Sequence, residues 1–263
     1  MRPASIAALV VPTALAAFDV AWNSPFPMQC GGIDAPDFGQ WNVRANGPNA
    51  TFNGDVVWTI YCPTSFSQFP HFDEDDHPIN GGIPQRGNLS LHLDTVRQDV
   101  ERLFPDEAFA GYAVVDWEVW YPWLILASKS IWVNESLAYV KELHPDWSEA
   151  DVEAEAVRSW NETSKEFMAE TLKVCVELRP KAKWGYYGRP GCYTGLDVTQ
   201  DPPQCTDAVK ARNDDLADLW TAGTALYPSV YPRPRRSLPP NRRDAAAPRS
   251  PVGANRRDGL PAP

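Results

Sequence analysis

The sequence predicts an α/β protein whose strands form a parallel sheet that curls into a barrel. Segments of strand character alternate with segments of helical spacing, which is the order that places helices over a parallel sheet. The chain has 263 residues, of which 43% are hydrophobic, so it can bury one sizeable core but not two large ones. Two carboxylates also lie at the C-terminal end of a buried strand, the position where barrel enzymes keep their chemistry.

Five segments have strand character and two have helical spacing. The helix predicted over 89–103 has apolar residues at intervals of three and four. A longer helix begins at the N-cap Ser148, with Asp151 three positions on, and ends before Pro180. The predicted strands are 18–22, 55–61, 111–120, 183–187 and 226–231.

The strand over 111–120 contains the pair Asp116 and Glu118. Side chains alternate along a strand, so the two carboxylates are expected on one face, with Trp117 on the other. Two carboxylates this close cannot both ionise freely, so one of them keeps its proton and can serve as an acid. The pair therefore predicts glycosidic bond cleavage, and no metal or other cofactor is expected.

The charge and composition exclude some classes of function. The net charge of −10 argues against non-specific binding of nucleic acid. Residues 232–263 differ from the rest, with eight Pro and eight Arg against two Asp and no aromatic residue. Such a segment cannot offset its ordering entropy by burial, so a disordered basic tail is predicted there.

Several features predict export from the cell. Residues 1–17 have a basic start, an apolar run and a small-residue cleavage signal, as in a secretory signal peptide. Four sequons begin at Asn49, Asn88, Asn134 and Asn161 and predict glycosylation. No later stretch is long and apolar enough to predict a membrane helix. We expect a secreted or lysosomal protein.

Five cysteines in an exported chain imply disulfides and one thiol left over. Cys192 and Cys205 flank a loop that contains Pro and Gly, and a bond between them is predicted. Cys30, Cys62 and Cys175 cannot all pair. Cys30 is either free or joined to Cys62.

Six blocks of residues resemble the animal and venom hyaluronidases in order and spacing. The similarity runs from about residue 18 to 231. The blocks are Phe18-Asp-Val-Ala-Trp-Asn-Ser-Pro, Asn80-Gly-Gly-Ile-Pro-Gln-Arg-Gly-Asn-Leu, Val115-Asp-Trp-Glu-Val-Trp, Trp184-Gly-Tyr-Tyr, Asn213-Asp-Asp-Leu and Ala225-Leu-Tyr-Pro-Ser-Val-Tyr.

The resemblance implies a distorted (β/α) barrel that hydrolyses internal β-1,4 bonds of hyaluronan, and chondroitin more slowly, with retention of configuration. Glu118 then corresponds to the general acid and base, while the substrate's own acetamide is the nucleophile and Asp116 orients it. Tyr187 and Tyr231 correspond to tyrosines of the acetamide pocket, and Trp120 and Tyr121 are expected beside them. No obligate protein partner is inferred.

The chain also departs from the family pattern. An arginine stands in the family where this chain has Tyr121, so a basic contact to a substrate carboxylate is expected to be lost. Family domains continue past the block that ends at Tyr231, with more strands, a tryptophan of the acetamide pocket and a cysteine partner for Cys30. We therefore expect an incomplete barrel over 18–231 with little activity.

Two readings from other classes stay open. In the first alternative, the chain is a non-catalytic glycosaminoglycan binder that uses a residual groove and the basic tail. In the second, it is an inactive fragment. Strongly salt-dependent binding without turnover distinguishes the binder. Chitinases also carry an Asp-x-Glu pair at a strand end, but the further aspartates that precede their pair are missing from 111–116.

Overall fold

The computed structural model describes residues 19–23, 38–46, 52–127, 129–192, 196–197 and 202–230. The predicted leader at 1–17, Cys30, Asn49, Tyr231 and the segment 232–263 lie outside the described residues. The chain divides into two compact units, 1–229 and 230–263, and every element below belongs to the first.

The strands are short, and three of them form a central parallel sheet. Its order is β3-β6-β7, with β6 in the middle. A second parallel pair joins β1 to β2. The strands are β1 (Val20–Trp22), β2 (Val43–Ala45), β3 (Val57–Tyr61), β4 (His71–Phe72), β5 (Pro78–Ile79), β6 (Tyr112–Asp116), β7 (Lys183–Tyr186), β8 (Leu196–Asp197) and β9 (Gln204–Cys205).

Helices connect the central strands, as parallel pairing requires. One helix lies between β3 and β6 in the chain, and two lie between β6 and β7. The helices are α1 (Leu89–Leu103), α2 (Ser130–Leu143), α3 (Glu149–Leu178), α4 (Asp207–Asp214) and α5 (Ala217–Ala222). Short 3₁₀ turns cover Phe38–Trp41, Pro84–Arg86 and Leu124–Leu126.

The two predicted helices are present with the expected starts. The side chain of Asn88 accepts from the Leu91 N–H at 3.0 Å and caps α1, which then runs over the predicted range. Ser148 caps α3 by accepting from the Asp151 N–H at 3.2 Å. These caps satisfy backbone donors that have no partner inside the helix.

The two faces of the central sheet bury different residues. One face packs on the helices, and Ala113, Val115 and Trp117 belong to that large core. Aromatic rings fill this core: Phe69 lies 4.4 Å from Trp117, centre to centre, and Trp117 lies 5.0 Å from Trp120. The opposite face carries a small cluster built on Val56, Val57 and Val114. Asp116 continues this second face because it is two residues beyond Val114.

Three sequence predictions need correction or refinement. Strand β6 ends at Asp116, not at residue 120, because Trp117 and Trp120 turn into the helix-side core and leave the ladder. Residues 226–231 do not form a strand in their described part: Tyr227 makes single bridges to Tyr187 and Arg189, and Pro228 offers no N–H to extend them. Within the described ranges the central sheet has three strands and is not closed.

None of the helices in the described part of the chain is both long enough and apolar enough to span a membrane.

Candidate active site

The candidate site lies at the carboxyl ends of β3, β6 and β7. The register pairs Tyr61 with Asp116 and Val115 with Tyr186, so the three strands end at one edge of the sheet. Tyr187 follows directly, and its N–H donates to the Val115 carbonyl at 3.0 Å. Ligand and catalytic sites of parallel α/β sheets form at this edge.

Asp116 is a partly buried carboxyl group at the centre of this edge. Its Oδ1 atom is buried and has no hydrogen-bond partner among the described residues. Burial, and secondarily the negative charge of Glu118, raises the pKa of Asp116 to about 6. Asp116 is therefore a carboxyl that can hold a proton in mildly acidic solution.

Glu118 lies two residues beyond the strand and is exposed. The strand rule predicts it on the Asp116 face, but no strand pairing extends that far. The two carboxyls nevertheless share one site, since the charge of Glu118 contributes to the raised pKa values of both Asp116 and Tyr61. Trp117, between them, is only 2% exposed and points into the core as predicted.

Two tyrosines flank the carboxylates. Tyr61 is 45% exposed, and partial burial, followed by the charges of Asp116 and Glu118, raises its pKa. Tyr187 is half-buried, with its hydroxyl 3.5 Å from Ser229 Oγ. Both side chains offer a ring face and a hydroxyl, a combination suited to sugar binding.

Trp120 and Tyr121, which the sequence placed beside the substrate, occupy different environments. Trp120 is 1% exposed and donates from Nε1 to the Pro70 carbonyl at 2.7 Å, so it belongs to the core beneath the site. Tyr121 is 41% exposed, and its ring lies 5.2 Å from the guanidinium carbon of Arg189. The structure thus brings Asp116, Glu118, Tyr187 and Tyr121 to the site and leaves Trp120 behind it.

Sequence reasoning missed Tyr61 and Arg189. Tyr61 ends its strand opposite Asp116, a register visible only when β3 and β6 are aligned. Arg189 lies three residues beyond β7, where it stands out only as a charge beside Pro190.

The predicted disulfide between Cys192 and Cys205 is confirmed. Cys62 and Cys175 are free thiols, so the possible pair of Cys30 and Cys62 is not formed. The loop between β7 and Cys192 is held by a second contact: Asn213 accepts from the Gly191 N–H at 3.1 Å and donates to its carbonyl at 2.9 Å.

The described sequons differ in their surroundings. Asn88 and Asn134 are exposed, one at the start of α1 and the other on α2. Asn161 is half-buried on α3, where its Oδ1 accepts from the Leu124 N–H at 3.0 Å. The surroundings thus favour modification of the first two over the third.

The described part of the chain shows no candidate metal cluster, and a cavity between α3 and α5 lies away from this site. Among the described residues there is no group of three or more His, Cys, Asp or Glu side chains that could hold a metal ion. A cavity of about 230 Å³ lies between α3 and α5, lined by residues such as Lys165, Glu166, Asp215 and Asp218. None of its lining residues belongs to the Asp116 edge.

Comparison with known proteins gives one consistent result. The glycoside hydrolase family 56 model, described as hyaluronidase, matches residues 10–244. Hyaluronidase-1 of Bitis arietans is 38% identical over 225 residues, which cover 81% of this chain and 49% of the relative. Hyaluronidase-1 of Homo sapiens is 36% identical over 219 residues, which cover 81% and 50%. The chain therefore spans about half the length of the curated relatives it matches.

A solved structure gives the same result. Bee venom hyaluronidase in complex with a hyaluronic acid tetramer has a TM-score of 0.69 and 33% identity, over 85% of this chain and 69% of that one.

Proposed function

Because this chain belongs to the hyaluronidase family, we propose that it is an endo-glycosidase that hydrolyses internal β-1,4 bonds of hyaluronan, and of chondroitin more slowly. The observation that carries the proposal is the pair Asp116 and Glu118 at the carboxyl edge of the parallel sheet, with the pKa of Asp116 raised to about 6. The bee venom relative, which is titled as a complex with a hyaluronic acid tetramer, supports the choice of polymer.

The domain proposed to carry this activity covers residues 18–231 as part of a distorted (β/α) barrel. The alternation of faces in the central sheet supports it, because one face packs on helices and the other carries the small valine cluster that leads to Asp116. In a barrel, that second face points inward, toward the axis.

The first chemical step divides the work between the two carboxyls. From the family resemblance we assign to Glu118 the proton that goes to the leaving glycosidic oxygen, and its exposed side chain is open to the substrate. The acetamide carbonyl oxygen of the substrate attacks the anomeric carbon as the glycosidic bond breaks, which yields a cyclic oxazolinium ion. The partly buried Asp116 carboxylate accepts from the acetamide N–H and stabilises the positive charge.

The second step returns the site to its starting state. Glu118, now ionised, takes a proton from water, and the water oxygen bonds to the anomeric carbon as the acetamide oxygen leaves. Two displacements at one carbon retain the configuration. Tyr187 is assigned to the acetamide pocket, and Tyr61 is added to it because of its place opposite Asp116.

We also propose that the protein is exported. A disulfide is stable in an oxidising compartment, and the bond between Cys192 and Cys205 supports a secreted or lysosomal location reached through the leader at 1–17. Glycosylation is proposed at Asn88 and Asn134, whose side chains are exposed.

The proposal is tested by Glu118→Gln. This change removes the acid without changing the size of the side chain, so kcat on hyaluronan is expected to fall by at least ~100-fold with little change in Tm. Glu153→Gln, on the exposed side of α3, is the matched control and is expected to retain full turnover.

Near-normal turnover by Glu118→Gln refutes the assignment of the acid. Salt-dependent binding of hyaluronan by the unaltered chain, without any cleavage, refutes the enzymatic proposal and favours a binding protein.

A further inference from the structure

We propose that Arg189 binds a uronate carboxylate of the polymer and so makes this site selective for a charged substrate. The inference rests on the proposed function, because it names the recognition element of that same site. The guanidinium group of Arg189 is partly buried at the edge of the site, lies over an aromatic ring, and has no carboxylate partner among the described residues.

The backbone around Arg189 is fixed on both sides. The Gly188 N–H donates to the Tyr227 carbonyl at 2.8 Å, and the Tyr227 N–H donates to the Arg189 carbonyl at 3.0 Å. Gly188 has φ of +72°, a left-handed conformation that glycine adopts without strain. These contacts hold Arg189 in place before any ligand binds, which lowers the entropy cost of binding.

The side chain of Arg189 lies over Tyr121. The distance of 5.2 Å from the guanidinium carbon to the ring centre is within the range of a cation–π interaction. Such stacking orients the planar guanidinium while its edge stays available for hydrogen bonds. Tyr121 thus gives the cation a fixed orientation without neutralising it.

The hydrogen bonds of Arg189 are incomplete. Its Nε is buried with no partner among the described residues, and its Nη1 makes only a long contact of 3.4 Å to the Gly188 carbonyl. Arg179, also buried, is different: its Nε donates to the Phe104 carbonyl at 2.7 Å and its Nη1 to the Leu178 carbonyl at 2.8 Å. Nε and Nη1 of Arg179 both have carbonyl acceptors, as in an arginine with a structural role. The same two donors of Arg189 have no close acceptor among the described residues.

The electrostatic surroundings of Arg189 favour an added anion. Burial lowers the pKa of Arg189, while electrostatic interaction with the phenol group of Tyr121 and with Glu118 acts in the opposite direction. Arginine nevertheless stays charged in proteins, so this cation is kept at a cost in desolvation. No ion pair to Arg189 occurs in the described part of the chain.

A carboxylate is the ligand that best meets these conditions. It accepts charge-assisted hydrogen bonds from a guanidinium, often two at once. The pairing of this carboxylate with Arg189 also offsets the repulsion that a polyanion meets at an edge with two acidic side chains. Each glucuronate of hyaluronan supplies one carboxylate beside a cleavable bond, whereas an uncharged polysaccharide offers none.

The test compares hyaluronan hexasaccharides whose carboxylates are free with the same oligosaccharides as methyl esters. Binding is measured by titration calorimetry on Glu118→Gln protein, so that no substrate is cleaved. We expect the free acid to bind roughly 10-fold or more tightly than the ester, the size of one charge-assisted hydrogen bond. Adding Arg189→Gln is expected to remove that difference by weakening binding of the free acid alone.

Two further variants serve as controls. Arg97→Gln removes a surface charge that pairs with Glu177 on the helix layer, and it is expected to keep the preference for the free acid. Tyr121→Phe keeps the ring face under Arg189 and is expected to keep the preference, while Tyr121→Leu is expected to reduce it severalfold.

The outcomes separate this inference from the proposed function. If Arg189→Gln still prefers the free acid, Arg189 does not bind the carboxylate, and the enzymatic proposal stands. If the unaltered chain fails to cleave hyaluronan, the enzymatic proposal fails, and the titration still decides the role of Arg189. Should Arg189→Gln not fold, Arg189→Lys decides: a severalfold smaller preference supports the inference, and an unchanged preference overturns it.

Discussion

At the scale of single residues, the ionised form of Asp116 destabilises the native state, and the proposed role of this carboxyl explains why it lies there. A carboxyl with a buried, unpartnered oxygen is penalised when it ionises, and the nearby charge of Glu118 adds to the penalty. Proteins hold such groups where function requires them. The proposed hydrogen bond from the substrate acetamide stabilises the ionised form of this carboxyl.

A pH-dependent stability follows from this cost. The native state binds the Asp116 proton up to about pH 6, whereas the unfolded chain releases it near the ordinary value of 3.8. The native state therefore holds more protons in between, and stability falls as pH rises through that window and stays reduced above it. Asp116→Asn is expected to be more stable than the unaltered chain at pH 8, with the difference shrinking toward pH 4.

Urea unfolding at several pH values measures this difference. Asp94→Asn, an exposed position on α1, is the control and is expected to show no such trend. A difference between Asp116→Asn and the unaltered chain that is independent of pH contradicts the account.

At the scale of elements, helix starts could be predicted because their signals are local. Asn88 and Ser148 cap α1 and α3 by hydrogen bonds to backbone N–H groups only three residues further along the chain. Helix α2 was not predicted, because the middle of its narrow buried stripe is Ser136, which accepts from Gln85 Nε2 at 3.1 Å. A buried serine in the apolar stripe is explained only by the distant Gln85, which the spacing of residues in the helix does not reveal.

Ser148→Ala tests how much a local cap contributes. Loss of the acceptor for the Asp151 N–H is expected to lower the free energy of unfolding by about 1 kcal/mol. Ser130→Ala is the matched control, because it also lies at a helix start but α2 has no side-chain cap bond. Equal effects of the two changes in urea unfolding refute the role given to Ser148.

Strand ends and the edge of the site depend on contacts that the sequence does not display. The strand predicted through Glu118 ends at Asp116 because two tryptophans turn into the helix-side core. Tyr61 is recognised as part of the site from its register with Asp116, and Arg189 from its contact with Tyr121. Each of these facts joins residues far apart in the chain, so periodicity could not reveal them.

At the scale of the whole molecule, the site is a small charged edge on an acidic protein. The chain carries a net charge of −10, and the polymer proposed as substrate is also anionic. Long-range attraction therefore does not bring them together, and local contacts must. We expect those contacts from the proposed site residues, namely the two carboxyls, the tyrosines and the cation of Arg189, on one edge of the three-stranded sheet.

The anomeric configuration of the product tests the central claim most directly. We expect ¹H NMR of freshly cleaved hyaluronan to show the β-anomer at the new reducing end first, before mutarotation produces the α-anomer. This order is the result of two displacements at one carbon, with Glu118 as acid and base and Asp116 beside the acetamide. Appearance of the α-anomer first would contradict the account.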